Sequence, residues 1–562
     1  EYDALNHTIV HIDTENETWL WAYDKGGRKV LSATPEVETV SVVADAEHPG
    51  KYKSIKNPKQ SLETYFEHDK NDALIQKTYA ANFKKSQQHS EKIVRNACSK
   101  PTQQISDQWL DDEGKTITQQ TDTGDTLTLV TRATRYDAQQ RPIIKPNKAN
   151  ENTYLIYGPN GKKAYVVDAM GAVSAYHYNA FDQVDSMTFY KQGITLTDDM
   201  KANGISYKDF MPLLTPSLLA DKKNRTVNVD YNQRGLKTSV KRPKREIYYP
   251  SKNALDYKAG TPTQYWTYNA FGKAEKVSTQ VDASGKVFST VYHRYDLLKN
   301  EIYTIDPSRY ITERAFNADA QVSSKNEPMV KLPDNLDLDT CSNNAIQEAI
   351  VRTKGKDKEA KMIFNPAGHK EESQSLNVNL GTKDGKPVIV DKISTTYKTN
   401  SKGLLKAVTK PAVTGSDEVA TEHLIRNPLS LIAQRIEVTR KSEDENGTVT
   451  TRTPTTVHQI NPLGHRAVST RYQDSTAIDQ SLARTPVADG SEQETLKQVD
   501  DRGLLRVAQD PEGNVSQQTF TVGGLAARHW EFLPGWQQDL EDPTKCTKVW
   551  DLNLHLRGYD LL

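Results

Sequence analysis

Few side chains in this sequence have the types and spacing that chemistry needs. Gly158-Pro159-Asn160-Gly161-Lys162 has the glycines and lysine of a phosphate-cradling loop, but the glycines stand too close together for one. The thirteen histidines are scattered. His369 and His465 each end an Asn-Pro-x-Gly-His run, and a general base at either would need partners converging on it. Cys98, Cys341 and Cys546 are far apart and odd in number, which fits neither a disulfide framework nor a zinc site. Trp19, Trp21, Tyr265, Trp266 and Tyr268 could stack sugar rings, although aromatic strands more commonly pack cross-strand neighbours. The sequence contains no His-Glu-x-x-His, Gly-x-Ser-x-Gly, Cys-x-x-Cys or dinucleotide fingerprint. Asn16-Glu17-Thr18 and Asn446-Gly447-Thr448 are glycosylation-type triplets at chance frequency. The expectation is a protein that is not an enzyme and takes no cofactor or metal.

The bulk composition narrows the class. The chain has 562 residues, long for one core, and 73 Lys+Arg balance 73 Asp+Glu. That balance speaks against nucleic acid as a partner, because phosphate neutralisation favours a basic excess. Mean hydropathy is −0.73, and no run approaches a membrane span. Tyr outnumbers Phe 26 to 11, a usage suited to half-wet β surfaces. The chain starts at Glu1 without a methionine or signal peptide, so it reads as a fragment or processed piece whose targeting signal is not visible.

The elements emerge from self-similarity. Tyr2-Asp3 is answered by Tyr23-Asp24-Lys25-Gly26-Gly27-Arg28, 21 residues on. Tyr136-Asp137, Tyr157-Gly158 with Gly161, and Tyr178-Asn179 follow one another at the same interval, as do Tyr295-Asp296 and Phe316-Asn317. Further copies start at Leu110, Tyr231, Tyr268-Asn269 with Gly272, Phe364, Ile460, Val499 and Trp550. Of these 14 starts, 13 have Asp or Asn second and ten have Gly, Asn or Asp fifth. An Asp or Asn side chain bonds backbone two residues on and opens a turn, and the fifth slot suits a positive φ. Twenty-one residues hold two short strands and two turns, so each unit is expected to be a β-hairpin. Val-Ser-Ala-Tyr-His-Tyr at 173–178 and Gln-Tyr-Trp-Thr-Tyr at 264–268 have strand-type alternation. Hairpins in series form a long sheet whose natural twist makes it coil.

Tyr-Asp-x-x-Gly-Arg at this spacing resembles the Rhs/YD-repeat family, and residues 2–34 are nearly a consensus pair. The resemblance covers half to two thirds of the chain. It implies an all-β fold, serial hairpins in a spiralling sheet that forms a hollow shell, with a few short helical insertions. It also implies one continuous shell, or part of one, over 1–562. The implied function is encapsulation of a toxic polypeptide in a secreted toxin system. The partners would be that cargo, or the remainder of the shell on another chain or segment. The alternative is a cell-surface adhesion module that binds a glycan or receptor, as in the teneurins, so the location is secreted or cell surface. Family shells end in an Asp-Pro-x-Gly-Leu self-cleavage site. Asp510-Pro511-Glu512-Gly513 matches it except that Asn514 replaces the leucine, and ordinary turns share that form, as Asp306-Pro307 and Asp542-Pro543 do.

Several stretches depart from the pattern and read as non-repeat insertions, near 57–105, 191–225 and 326–360. Leu74, Ile75, Tyr79, Phe83, Ile93, Val94 and Ala97 suggest a helix within 71–98. Met200, Phe210, Leu213, Leu214, Leu218 and Leu219 around Pro212 and Pro216 suggest short helices, and Ala345, Ile346, Ala349 and Ile350 suggest another. The charged stretches 353–361 and 436–450 read as solvated turns or hairpins. Repeat character persists to Trp550-Asp551 and Tyr559-Asp560, so no separate C-terminal toxin domain is expected within the chain.

Overall fold

The computed structural model describes residues 1–532 apart from 49, 85–86, 107–117, 121–125, 129–131, 149, 251–254, 283–284, 384, 412–419, 444–447, 478–482, 500–501 and 521–523. The repeat starts at Leu110, Val499 and Trp550 depend on residues outside this set. So do Asp542-Pro543, Cys546, Tyr559-Asp560 and most of Asn446-Gly447-Thr448. The described residues are all-β with four short α-helices. It falls into two compact units: Glu1–Thr153 with Lys398–Val408 and Ala420–Leu562, and Tyr154–Tyr397 with Thr409–Val419.

In the second unit the strands pair antiparallel in chain order. Thr263–Tyr268 pairs with Ala274–Gln280, which pairs with Phe288–Tyr295, then Glu301–Ile305, Ile311–Phe316 and Val322–Glu327. Every residue of Val184–Phe189, Ala274–Gln280 and Val322–Glu327 is half-buried. Neither face of these strands is sealed, as expected of a one-layer sheet lacking a second layer to bury it. Sealed patches occur under the helices. Asp198–Asn203, Tyr207–Phe210 and Pro216–Leu219 are each opened by a Thr or Ser cap. They press the fully buried Phe210 against Tyr165, ring centroids 4.7 Å apart. Leu332, Leu338 and Ile346, the last on the helix Asn343–Ala349, cover Tyr303, Ile305 and Ile311.

The first unit contains a seven-stranded sheet, from Val10–Ile12 to Pro101–Ser106, and a second ladder that runs from Ala420–Arg426 to Ala526–Phe532. The hairpin Val40–Ala44/Tyr52–Lys56 lies on that ladder. Val40 packs with Ala467, Val468 and Leu496, and Gln498 Nε2 donates to Val42 O at 2.7 Å. Thr39 and Ile460 form a parallel bridge, while Val37, Leu62, Ala80 and Phe83 close around Ile460. Residues more than 400 positions apart in sequence thus share one small core.

One expectation is corrected and another holds only in part. Among the described residues of 71–98 no α-helix forms, and Leu74–Tyr79 and His89–Arg95 are ladder strands. The apolar residues are those of two strands separated by a reversal near Ala80, whose positive φ of 50° breaks the register. The stretch 353–361 is a turn only at 354–356, where Lys354 and Lys356 are exposed. Lys358–Phe364 is a strand, and Asp357 is buried, accepting from the amides of Met329 and Thr353. In 436–450, Arg440–Glu443 pairs with Val449–Arg452 as a hairpin.

Candidate functional site

Among the described residues, the recurring feature is the turn and the contact it makes with its neighbour. The Asp or Asn in the second slot opens each turn. Asp24 Oδ1 accepts from the amides of Gly26 and Arg28, at 2.8 and 3.1 Å. Asn269 Oδ1 accepts from Phe271 and Lys273, at 3.0 and 2.9 Å. Asp3, Asp137, Asn179 and Asp296 cap their turns in the same way. The backbone closes around them: the second-slot amide donates to the sixth-slot carbonyl, and the fifth-slot amide donates back to the second, as in Asn269–Lys273 and Gly272–Asn269. Gly158 substitutes for Asp in the same backbone pattern. The fifth slot has a positive φ throughout: 76° at Gly27, 77° at Gly161 and 80° at Gly272, but also 70° at Lys299 and 58° at Ala320.

The sixth slot reinforces the cap. Arg28 donates to Asp24 Oδ2 through Nε at 2.7 Å and reaches the carbonyl of Asp69 in the next turn at 3.0 Å. The Arg28 guanidinium and amide hold the Asp24 carboxyl down to about 2. His7 occupies the same slot and stacks on Tyr23 at 4.6 Å. Gln183 and Gln321 reach the fifth-slot carbonyls of the next turns, Gly235 and Gly368.

The first slot joins one hairpin to the next. Tyr178, Tyr231, Tyr268 and Tyr295 donate their hydroxyls to the carbonyls of Lys163, Val184, Lys237 and Ala274, and Tyr136 donates to Pro101. In every case the acceptor lies six residues after the first slot of the preceding unit. Arg95 and Arg426 do the same with guanidinium groups, reaching Leu74 and Leu405. A register shift between the residue before the first slot and the slot itself recurs, as at His177/Tyr178 and Thr267/Tyr268. Such a bulge re-aims the side chain out of the ladder. Tyr2 is exposed and only bridges Thr8, while Tyr157 ends its strand at Ile156/Tyr157 in the same shifted register.

Antiparallel pairing in chain order separates the two rims of the second unit's ladder. The turns at Gly158, Asn179, Asn232, Asn269, Asp296, Asn317 and Asn365 all connect strands on one rim. The helical segments and the Arg245–Pro250/Leu255–Gly260 hairpin are all inserted at connections on the other, although Asn343 of the last helix reaches back to donate to the Tyr295 carbonyl. The clamp residues stay on the uniform rim, so a long insertion does not interrupt them: Tyr231 still reaches Val184 across the helices.

The residues first considered for chemistry are spread through these turns. Asp510 caps one, accepting from Asn514 N at 2.7 Å and Asn514 Nδ2 at 2.6 Å. Burial pushes its carboxyl up, but those bonds outweigh it and the net shift is downward. His369 and His465 occupy sixth slots with their amides on Asn365 and Asn461. Lys162 pairs with Asp182. Trp19 leans on Asp13 at 3.5 Å, and Tyr265 packs edge-on against Phe288. Cys98 is exposed and Cys341 half-buried, both as free thiols. The same cap closes the turn read at Asp306-Pro307, and it recurs at Asp13, Asp69, Asn96, Asp168, Asn400 and Asn427, which the sequence reading did not single out.

The first unit adds a charged seam between two such turns. Lys402 Nζ lies 2.6 Å from Asp13 Oδ2, both side chains largely buried, and Ser401 Oγ bonds the Thr14 carbonyl at 3.2 Å. Burial alone would raise the Asp13 carboxyl; the Lys402 ammonium and two turn amides instead bring it to about 2.

No family model matches the chain, and no curated protein does. Among solved structures it aligns over 94% of its length with the crystal structure of TcdB2-TccC3, at 10% identity and a TM-score of 0.30, covering 37% of that chain. It aligns over 94% with the Photorhabdus luminescens Tc holotoxin pore, at 10% identity and a TM-score of 0.20, covering 30% of that chain. A porin-like protein from Bacteroides uniformis matches over 41% of this chain and 89% of its own, at 12% identity and a TM-score of 0.14. The chain spans little more than a third of the first of these. With TM-scores this low, function has to be argued from the chain itself.

Proposed function

We propose that this chain is a stretch of shell wall from an exported toxin system, which holds another polypeptide and performs no reaction itself. The observation that carries the reading is the clamp: at seven first slots a Tyr or Arg ties its hairpin to the preceding one through a fixed backbone carbonyl. A hairpin alone is marginal in water, and clamped hairpins with half-buried faces make a thin wall with two wetted sides. Such a wall encloses space instead of filling it. The resemblance of Tyr-Asp-x-x-Gly-Arg to the Rhs/YD repeats supplies the class of content, a toxic polypeptide. Asp510 serves this reading as a turn cap.

The test is limited proteolysis of the full parent protein followed by mass spectrometry. A protected fragment from outside the repeat region, released on denaturation, is the expected outcome. Digestion of every non-repeat segment at the rate of an unfolded chain would sink the reading. Glycan-array binding by the isolated chain would favour the adhesion alternative. A single intact species of 63.2 kDa is expected, and cleavage at Asp510 would assign the chain a reaction.

A further inference from the structure

The uniform rim of the second unit carries a row of exposed apolar turn tips. Slots three and four of a turn usually hold Gly, Asn, Asp or Ser, which water solvates well. Here Phe181, Phe271, Leu297 and Leu298 occupy them, 77%, 52%, 90% and 79% exposed. The turns that carry them, at Asn179, Asn269 and Asp296, lie on one rim, with the Asn232 turn between the first two. Successive turns on one rim are two strands apart, about 10 Å, so the apolar tips form a row roughly 30 Å long. Each tip is held stiffly by its capping side chain, so the exposed groups stand clear of the sheet.

Charge sets the kind of surface that such a row fits. In slots three to six of the Asn232, Asn269 and Asp296 turns, the charged residues are Arg234, Lys273 and Lys299, with no carboxylate among them. Arg234 donates to the carbonyls of Asn269 and Ala270, which locks adjacent turns together. Lys299 Nζ stands 5.3 Å over the Phe271 ring. On the Asn179 turn, which carries Phe181, the one carboxylate in these slots is Asp182, and it pairs with Lys162 of the preceding turn on that rim. Convex apolar tips interleaved with cations match the boundary between acyl chains and anionic headgroups, where leucine and phenylalanine enter the apolar layer and lysine stays with the phosphates. A protein partner would need a groove to receive single projecting side chains; a bilayer yields to any of them.

We propose that this rim, through Phe181, Phe271, Leu297 and Leu298 with Arg234, Lys273 and Lys299, docks on an anionic lipid bilayer. The inference is independent of what the wall encloses. Co-sedimentation of the full chain with vesicles tests it. The chain is expected to pellet with phosphatidylserine-containing vesicles, far less with phosphatidylcholine alone, and to come off in high salt. The double variant L297S/L298S should weaken binding roughly tenfold or more, given the transfer energy of two leucine side chains. Met329→Ser, at an exposed residue on the opposite rim, should bind as the parent does. Circular dichroism melts confirm that both variants fold. No sedimentation with anionic vesicles, or unchanged sedimentation of L297S/L298S, would overturn the proposal. So would lipid-free self-association that this double variant abolishes, which would make the row a contact between copies of the chain.

Discussion

Arg426 donates through Nε and Nη2 to the carbonyl of Leu405, at 3.3 and 3.2 Å, occupying the position that a tyrosine hydroxyl takes elsewhere in the ladder. The two side chains differ in charge, shape and stiffness but share a polar donor at the end of a long stem. What the first slot requires is a donor at that reach. Tyr268→Phe keeps the ring and removes the hydroxyl that meets Lys237 O at 2.6 Å, so it should cost about 1 kcal/mol. Arg426→Tyr should cost less than Arg426→Ala. Urea denaturation midpoints of the three variants decide whether the donor, and not the aromatic ring, is the selected feature.

The fifth slot makes the opposite demand, on backbone instead of side chain. Ala320 sits at φ 58° and Lys299 at φ 70°, a region that costs an L-residue roughly 1–2 kcal/mol. Glycine relieves that strain but loses more entropy on folding. Ala320→Gly should therefore raise the melting temperature slightly. Gly171→Ala should do the reverse and more severely, because at φ 85° its new Cβ would lie 2.1 Å from the Ile194 carbonyl oxygen. Expression of folded Gly171→Ala with an unchanged melt would contradict this account of the turn.

The part of the design legible in sequence is the part written in side chains with few substitutes. Asp or Asn after an aromatic marks one rim, as at Tyr178, Tyr231, Tyr268, Tyr295 and Phe316, and the last two are 21 residues apart. The same turn also occurs on the other rim at Asp168, where Val167 instead of an aromatic precedes the cap. Arg95 and Arg426 were invisible for a related reason: a clamp defined by a donor's reach cannot be recognised from a search for rings. The helix expected in 71–98 failed because two strands with a reversal between them scatter apolar residues at near-helical intervals. The seam between Asp13 and Lys402 has no local signature at all, since 389 residues separate its partners.

The insertions should unfold without the wall. Phe210 is fully buried, yet what it covers is one patch around Tyr165 and not a continuous core. Phe210→Ala should cost about 3–5 kcal/mol locally. Hydrogen exchange should show lost protection over 196–219, while Ala274–Gln280 and Phe288–Tyr295 keep theirs. Uniform loss across all of these strands would mean that the helices are integral to the sheet.

Acid should open the first unit in two stages whose order follows from two side chains. His458 is half-buried on the strand Thr455–Ile460, with Nδ1 2.9 Å from Ser469 Oγ. Burial, then the positive charges of Arg466, Arg435 and Lys497, lower its pKa from 6.5 to about 4. The unfolded chain therefore takes up this proton first, so stability present above pH 6.5 declines as pH falls toward 4. Asp13 acts lower on the scale. Its carboxyl, at about 2 in the fold against 3.8 unfolded, contributes stability above 3.8 that is lost as pH drops toward 2. His458→Gln should make the first decline shallower and leave the second, and Asp13→Asn should make the second shallower, with Asp24 still contributing to it, while lowering stability at neutral pH. Melting temperatures of both variants across this range separate the stages. A decline between pH 6.5 and 4 that survives in His458→Gln would assign it to other groups.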